Sequence, residues 1–239
     1  MKDIYNDQTY LKHNPTWGEE DAPMKAEAIA GLLGKNTISF RTLAEAGCGS
    51  GEILVQLEKK LPNAEKFYGF DISKDAFQIA AKKETDKIHF ELLDLAGSTK
   101  PELHFDILLV IDVLEHLPDY FAFLNGIRSK SMYTVFHVPL DMSVWSLFRE
   151  KMLIESKDRV GHLHAFTEEF ILSILKENGF DIIDKMYTPP TYTHQSIKQK
   201  ITHGIREFLF LLNKKLASKT IGGYSIMVLT KNRAVNTDL

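Results

Sequence analysis

The chain is predicted to fold as a doubly wound α/β protein with a mainly parallel, seven-stranded sheet and helices on both faces. Three observations predict it. A glycine-rich turn, Gly47-Cys48-Gly49-Ser50-Gly51, joins a short apolar run, Thr42-Leu43-Ala44, to a segment whose apolar positions Ile53, Leu54, Leu57 and Leu61 repeat at helical spacing. Phe105-Asp106-Ile107-Leu108-Leu109-Val110-Ile111 is the most apolar run in the sequence, as a central parallel strand covered on both faces requires. Strand and helix patterns alternate along most of the chain, as βαβ units do.

Composition narrows the class. With 239 residues, 44% of them hydrophobic, the chain can bury a sizeable core and is expected to form one domain over 1–239. A net charge of −3 gives no general attraction to nucleic acid, so none is expected as a partner. Cys48 is the one cysteine, which excludes an intrachain disulfide and points to a reducing, cytoplasmic setting. Its place in a crowded turn suits a small residue better than a nucleophile, since no partner base can be named. The N-terminus lacks the apolar core of a signal peptide, and no stretch reaches the length of a membrane span.

Residues 1–34 read as an N-terminal cap. Tyr5, Tyr10, His13, Pro15 and Trp17 show no periodicity, and Tyr10 and Trp17 suit packing on the domain surface. Asp21-Ala22-Pro23 then opens a helix with Ala26, Ile29, Leu32 and Leu33 on one face, closed by Gly34. In the turn that follows the first strand, glycines at alternate positions allow positive φ and a close approach of backbone to ligand. They also leave unpaired N–H groups at a helix N-terminus, a site for a negatively charged group. A dinucleotide fingerprint would need glycine at position 52, where Glu52 sets a carboxylate in the place of a pyrophosphate.

Lys66-Phe67-Tyr68-Gly69-Phe70 is the second strand and ends at Asp71, at the sheet edge beside the glycine turn. Ser73 caps a helix from Asp75 to about Lys83, with Phe77, Ile79 and Ala80 as buried positions. Ile88 to Leu92 alternates as the third strand and leads into Leu93-Asp94-Leu95. The fourth strand, 105–111, runs into Asp112-Val113-Leu114-Glu115-His116-Leu117-Pro118-Asp119, and Pro118 starts a helix bearing Tyr120, Phe121, Leu124 and Ile127. Met132 to Val138 is the fifth strand, ended by Pro139. Thr167 caps a helix through Asn178, Gly179 follows it, Phe180 to Met186 is the sixth strand and Tyr224 to Thr230 the last. Residues 187–223 form an insertion, with a loop to His194 and a basic amphipathic helix from Gln195 to Lys219. Its face of Ile197, Ile201, Ile205, Phe208 and Leu212 suits a lid, a membrane surface or a dimer contact through 195–219.

Glu45-x-Gly47-x-Gly49-x-Gly51 resembles the first motif of the class I S-adenosylmethionine-dependent methyltransferases. The segment 105–119 resembles that of its small-molecule branch, which includes the ubiquinone-biosynthesis O-methyltransferases. Together with Asp71 and Asp94, these matches keep the family's order and spacing through the first half of the chain. The resemblance implies a Rossmann-like methyltransferase fold, with the last strand antiparallel between the fifth and sixth. It also implies S-adenosyl-L-methionine as cofactor and methyl transfer to an oxygen, in preference to a nitrogen, of a small-molecule acceptor. On this resemblance Glu45 holds the cofactor's ammonium group, and Gly47, Cys48, Gly49 and Gly51 lie along its amino-acid part. Asp71, with Ile72 beside it, takes the ribose hydroxyls, for which a carboxylate fork is well shaped. Asp94 takes the adenine amino group near the Leu95 backbone, and Asp112, at the cleft, is counted with the cofactor-binding residues.

An activated methyl group needs an aligned acceptor and one base to remove a proton. His116 is the first choice, followed by His162 and His164, which project to one side if extended. An ordinary loop role is the alternative for both of the latter. Asp112-x-x-Glu115-His116 places three oxygen and nitrogen ligands within a turn, and some members of the resembling family bind a divalent ion there. Glu115 and His116 equally suit bonding to neighbouring backbone, and no metal ligand is assigned. Two rivals remain at this point: a nicotinamide-dependent oxidoreductase, against which Glu52 argues, and a non-catalytic S-adenosylmethionine-binding partner subunit.

Overall fold

The computed structural model describes residues 12, 14, 16–100, 102–189 and 208–234. Tyr5, Tyr10, His13, Pro15 and the larger part of the predicted 195–219 helix lie outside them. The strands are β1 (Thr42–Ala46), β2 (Lys66–Asp71), β3 (Ile88–Leu92), β4 (Phe105–Ile111), β5 (Ser131–Pro139), β6 (Phe180–Thr188) and β7 (Ser225–Asn232). The helices are α1 (Ala22–Lys35), α2 (Glu52–Lys60), α3 (Lys74–Ala80), α4 (Tyr120–Ile127), α5 (Val144–Leu147), α6 (Glu150–Val160), α7 (Glu168–Glu177) and α8 (Lys214–Thr220).

One seven-stranded sheet runs β3-β2-β1-β4-β5-β7-β6. The first five strands pair in parallel, and β7 inserts antiparallel to both β5 and β6. Alternate residues of the central strands face two separate cores. Leu43, Ile107, Leu109, Ile111, Met227 and Leu229 pack under Ala26, Ile29, Leu32 and Leu33 of α1 and Leu54 and Leu57 of α2. Ala44, Leu108, Val110, Phe136, Ile226 and Val228 pack under Leu124 and Ile127 of α4 and Ile171, Ile174 and Leu175 of α7. Each fully buried branched or aromatic side chain contributes about 1.5–3 kcal/mol, which is why the sequence must be apolar on both faces of β4. Because β1 and β4 are neighbours while their following helices depart to opposite faces, a crevice opens at their carboxyl ends.

Local chemistry corrects several expected boundaries. Gly34 does not close α1, which continues to Lys35; the Asn36 side chain ends it, donating to the Leu32 carbonyl at 2.8 Å and to Asp184 at 2.9 Å. Pro118 precedes α4 rather than starting it, and Asp119 caps the helix by accepting the Ala122 N–H at 2.9 Å. Ser73 caps α3 as expected, but the seven-residue helix buries Ala76 and Ala80 and leaves Phe77 and Ile79 half-buried. The sixth strand extends to Thr188. In the insertion, a single helix through 219 is interrupted at Asn213, whose extended backbone and side chain cap α8, accepting the Leu216 N–H at 2.9 Å. Among the described residues, no helix is long and apolar enough to cross a membrane.

Gly51, the N-cap of α2, has φ +76°, and a Cβ there would lie 2.4 Å from Cζ of Phe90 on β3. Gly31, exposed in the middle of α1, has open space around it. Gly51→Ala is therefore expected to lower stability by about 2 kcal/mol or more, and Gly31→Ala to raise it by up to about 1 kcal/mol. Urea unfolding of the two variants measures both.

Candidate active site

A cavity of about 780 Å³ occupies the crevice where β1 and β4 diverge. The glycine turn forms one wall. Gly47 and Gly49 take φ of +73° and +53°, and the N–H groups of Gly47 and Cys48 donate to the Phe70 carbonyl at 2.8 and 3.1 Å. A Cβ at Gly49 would lie 3.7 Å from the Trp17 ring, so this indole covers the turn. Gly51 is different: its α-carbon faces Phe90 rather than the cavity, which makes it a packing residue. Cys48 lines the cavity, but burial, followed by the nearby Asp71 and Glu45 carboxylates, pushes its thiol well up, against any role as a nucleophile.

Asp71 connects the turn to the end of β2. Its Oδ2 accepts the Gly49 N–H and its Oδ1 the Ser73 N–H, both at 2.8 Å. Burial lifts this carboxyl above its ordinary value in spite of these bonds. A carboxylate offers about four lone-pair positions, more than these backbone donors fill, so the group can still accept from a hydroxyl. Ile72, 61% exposed, adds an apolar ledge to the same wall. Glu45, on β1, is 1% exposed, and its Oε2 has no hydrogen-bond partner among the described residues. Burial raises its carboxyl well above the ordinary range; Lys25 opposes the rise, and Asp71 and Asp112 add to it. An orphaned carboxylate oxygen on a cavity wall is a receptor for a cationic group.

Across the cavity, Asp112 has a left-handed backbone, φ +53°, at the end of β4. Its Oδ2 meets Lys25 Nζ at 2.7 Å and its Oδ1 meets His137 Nδ1 at 2.5 Å, while His137 Nε2 reaches Thr188 Oγ1 at 2.7 Å. Burial alone would raise the Asp112 carboxyl, but His137 and Lys25 bring it far below the carboxylate range. Lys25 and His137 escaped the sequence reading, though a signal was present in each case. Lys25 falls within the apolar stripe of α1, and His137 is a polar residue inside a central strand.

Glu115, His116 and His162 line the same cavity. Glu115 is fully buried, and neither carboxylate oxygen has a hydrogen-bond partner among the described residues; His116 Nε2 stands 3.9 Å from one of them. Burial and then Asp112 raise the Glu115 carboxyl well above its ordinary range. The Glu115 carbonyl accepts the N–H groups of Leu163 and His164 at 2.7 and 3.1 Å, which fixes the histidine loop against the end of β4. His162 Nδ1 lies 2.6 Å from Asp141 Oδ2, and its ring meets His116 edge-on with centroids 4.9 Å apart. Donor atoms of Glu115, His116 and His162 lie within 4.8 Å of one another, a spacing that would also admit a divalent cation; none is assigned as a metal ligand.

Besides Gly51, three predicted residues stand outside the cavity wall. The Asp94 carboxylate turns back onto its own turn and accepts the Gly97 N–H at 3.1 Å, and Leu95 is buried in the core beneath α4. His164 Nε2 bonds the Leu117 carbonyl at 2.9 Å and its ring packs on Tyr120, so it does not share the face of His162. The Asp141–His162 pair was not anticipated, because its members lie far apart in sequence, in a region without periodicity.

Residues 20–185 match the family model described as a methyltransferase domain. No curated protein matches the chain. Among solved structures, it is similar to magnesium protoporphyrin IX methyltransferase from Synechocystis PCC 6803 with bound S-adenosylhomocysteine. The identity is 16% and the TM-score 0.64, covering 97% of this chain and 98% of that one. It is also similar to the plantazolicin methyltransferase in complex with S-adenosylhomocysteine, at 19% identity and TM-score 0.60, covering 96% and 93%. A third, the putative methyltransferase complexed with the Haloferax volcanii Trm112 activator, shares 13% identity at TM-score 0.65, covering 96% of each. The chain belongs to the methyltransferase-domain family and is an S-adenosylmethionine-dependent enzyme, which removes the nicotinamide-dependent alternative.

Burial, and next to it His162, depress the His116 imidazole to about 4. The unfolded chain therefore binds this proton at higher pH than the folded one. His116 is expected to oppose stability progressively as pH falls from about 6.5 to about 4. Nitrogen NMR should show His116 neutral until near pH 4, and His116→Asn should flatten the acid limb of the stability profile.

Proposed function

We propose that the chain transfers a methyl group to a hydroxyl oxygen of a small-molecule acceptor, as a single domain over 1–239. The observation that carries the reading is the order of groups along one cavity: an orphaned Glu45 oxygen, the open glycine turn and the Asp71 fork. Glu45 would receive the ammonium of S-adenosylmethionine, Gly47 and Gly49 its amino-acid part, Asp71 its ribose hydroxyls, and Ile72 the face of its base. That cofactor, when bound, supplies a methyl group on a sulfonium. Asp112, held in place by Lys25 and His137, keeps a negative charge beside this position.

We infer that His162, rather than His116, is the base. Its Nδ1–H donates to Asp141, which leaves Nε2 as the proton acceptor and fixes the ring. His116, depressed to about 4, is a weak base at neutral pH and serves as the packed wall behind His162. The acceptor hydroxyl would give its proton to His162 Nε2 as its oxygen takes the methyl group. Glu115 orders the loop that carries this histidine.

A screen of hydroxylated acceptors, read as S-adenosylhomocysteine formed, tests the assignment. His162→Ala is expected to lower kcat by about 10²–10⁴, with His116→Ala much nearer to the parent chain. Asp141→Asn should lower kcat as well, because the ring loses the partner that fixes its orientation. Undiminished turnover in His162→Ala, with loss in His116→Ala, would reverse the roles; the absence of transfer to any acceptor would favour the partner-subunit reading.

A further inference from the structure

The segment Val144-Trp145-Ser146-Leu147-Phe148-Arg149 folds with its polarity inverted. Ser143 and Ser146 close α5 through reciprocal side-chain and backbone bonds and are buried at 5% and 7% exposure, whereas Phe148 is 83% exposed. Leu147 and Trp145 point outward as well. The same inversion recurs on α8, which contacts α5: Ala217 and Ser218 are buried and Leu216 is exposed. In the helical residues 208–212 just before it, Leu211 is 81% exposed. Neighbouring segments thus direct their largest apolar side chains into solvent, a surface that soluble proteins reserve for contact.

The charges around this patch indicate what it contacts. Arg149 lies over the Trp145 ring at 5.7 Å and Lys214 over Phe210 at 5.6 Å. Lys215 and Lys219 neutralise Glu169, at 2.6 and 3.1 Å. Arg149, Lys151 and Lys214 make no ion pair among the described residues, although the chain as a whole carries −3. In a two-fold dimer through this face each copy would present the same surplus of cations to the other. Anionic headgroups complement them, while the aromatic and leucine side chains enter the acyl boundary.

We propose that the face formed by α5, residues 208–212 and α8 docks onto an anionic lipid surface. α6 runs from this patch to Val160 on the cavity wall, so docking would set the cavity mouth near the headgroups. An amphiphilic acceptor drawn from the bilayer then follows, a consequence that rests on the proposed transfer reaction; the docking itself does not.

The test is co-sedimentation of the full chain, without methyl donor, with vesicles of phosphatidylcholine alone or mixed with phosphatidylglycerol. The chain is expected to partition onto the anionic vesicles and to be released by salt. Phe148→Glu or Leu211→Glu should reduce partition about tenfold or more, and Arg149→Gln or Lys214→Gln roughly fivefold each. These exposed positions leave the core intact, and an unchanged melting temperature verifies that. Equal partition onto both vesicle types, or onto neither, would overturn the proposal. So would a dimer in sedimentation equilibrium that the same substitutions dissolve while vesicle binding stays unaltered.

Discussion

The carboxylate of Asp71 is the constraint on which the site depends. It ends β2 and uses one oxygen to fix the glycine turn after β1 and the other to fix the entry to α3. Two strands of a parallel sheet are thereby tied at their carboxyl edges by a group that still has lone pairs to offer. The turn it holds cannot carry side chains at 47 or 51, where Val113 and Phe90 already occupy the space. Sheet register, turn geometry and ligand wall are set together.

The cavity concentrates buried charge. Glu45, Glu115, Asp71 and Asp112 line one cavity, with Lys25 and His137 bonded to Asp112. Such an arrangement is unfavourable in an empty apolar interior, since each unpaired carboxylate oxygen forfeits its hydration. Its two orphaned members, Glu45 and Glu115, line the same cavity. The core is apolar on both faces of the sheet, and Glu45, Asp71, Asp112 and Glu115 are gathered at the crevice that the strand order opens.

Much of this was legible in the sequence. The seven strands, the doubly wound layering and the positions of Glu45, Gly47, Gly49 and Asp71 at one edge follow from periodicity and from the order of motifs. Gly51 was harder, because spacing does not tell a glycine that faces a ligand from one that yields to a phenyl ring. Asp94 and His164 illustrate the same limit: sequence places a residue at a turn, while local hydrogen bonds to Gly97 and to the Leu117 carbonyl decide where it points. The Asp141–His162 pair depends on two loops meeting in space. Residues 140–160 had no readable pattern because α5 is a single turn whose serines, not its apolar residues, face inward.

Calorimetric titration of the purified chain with S-adenosylmethionine and S-adenosylhomocysteine, with NAD as control, tests the central claim most directly. The account predicts that both sulfur ligands bind and NAD does not, and that binding is lost in Asp71→Ala and weakened in Glu45→Gln at unchanged fold. Preference for NAD, or full affinity in both variants, would contradict it.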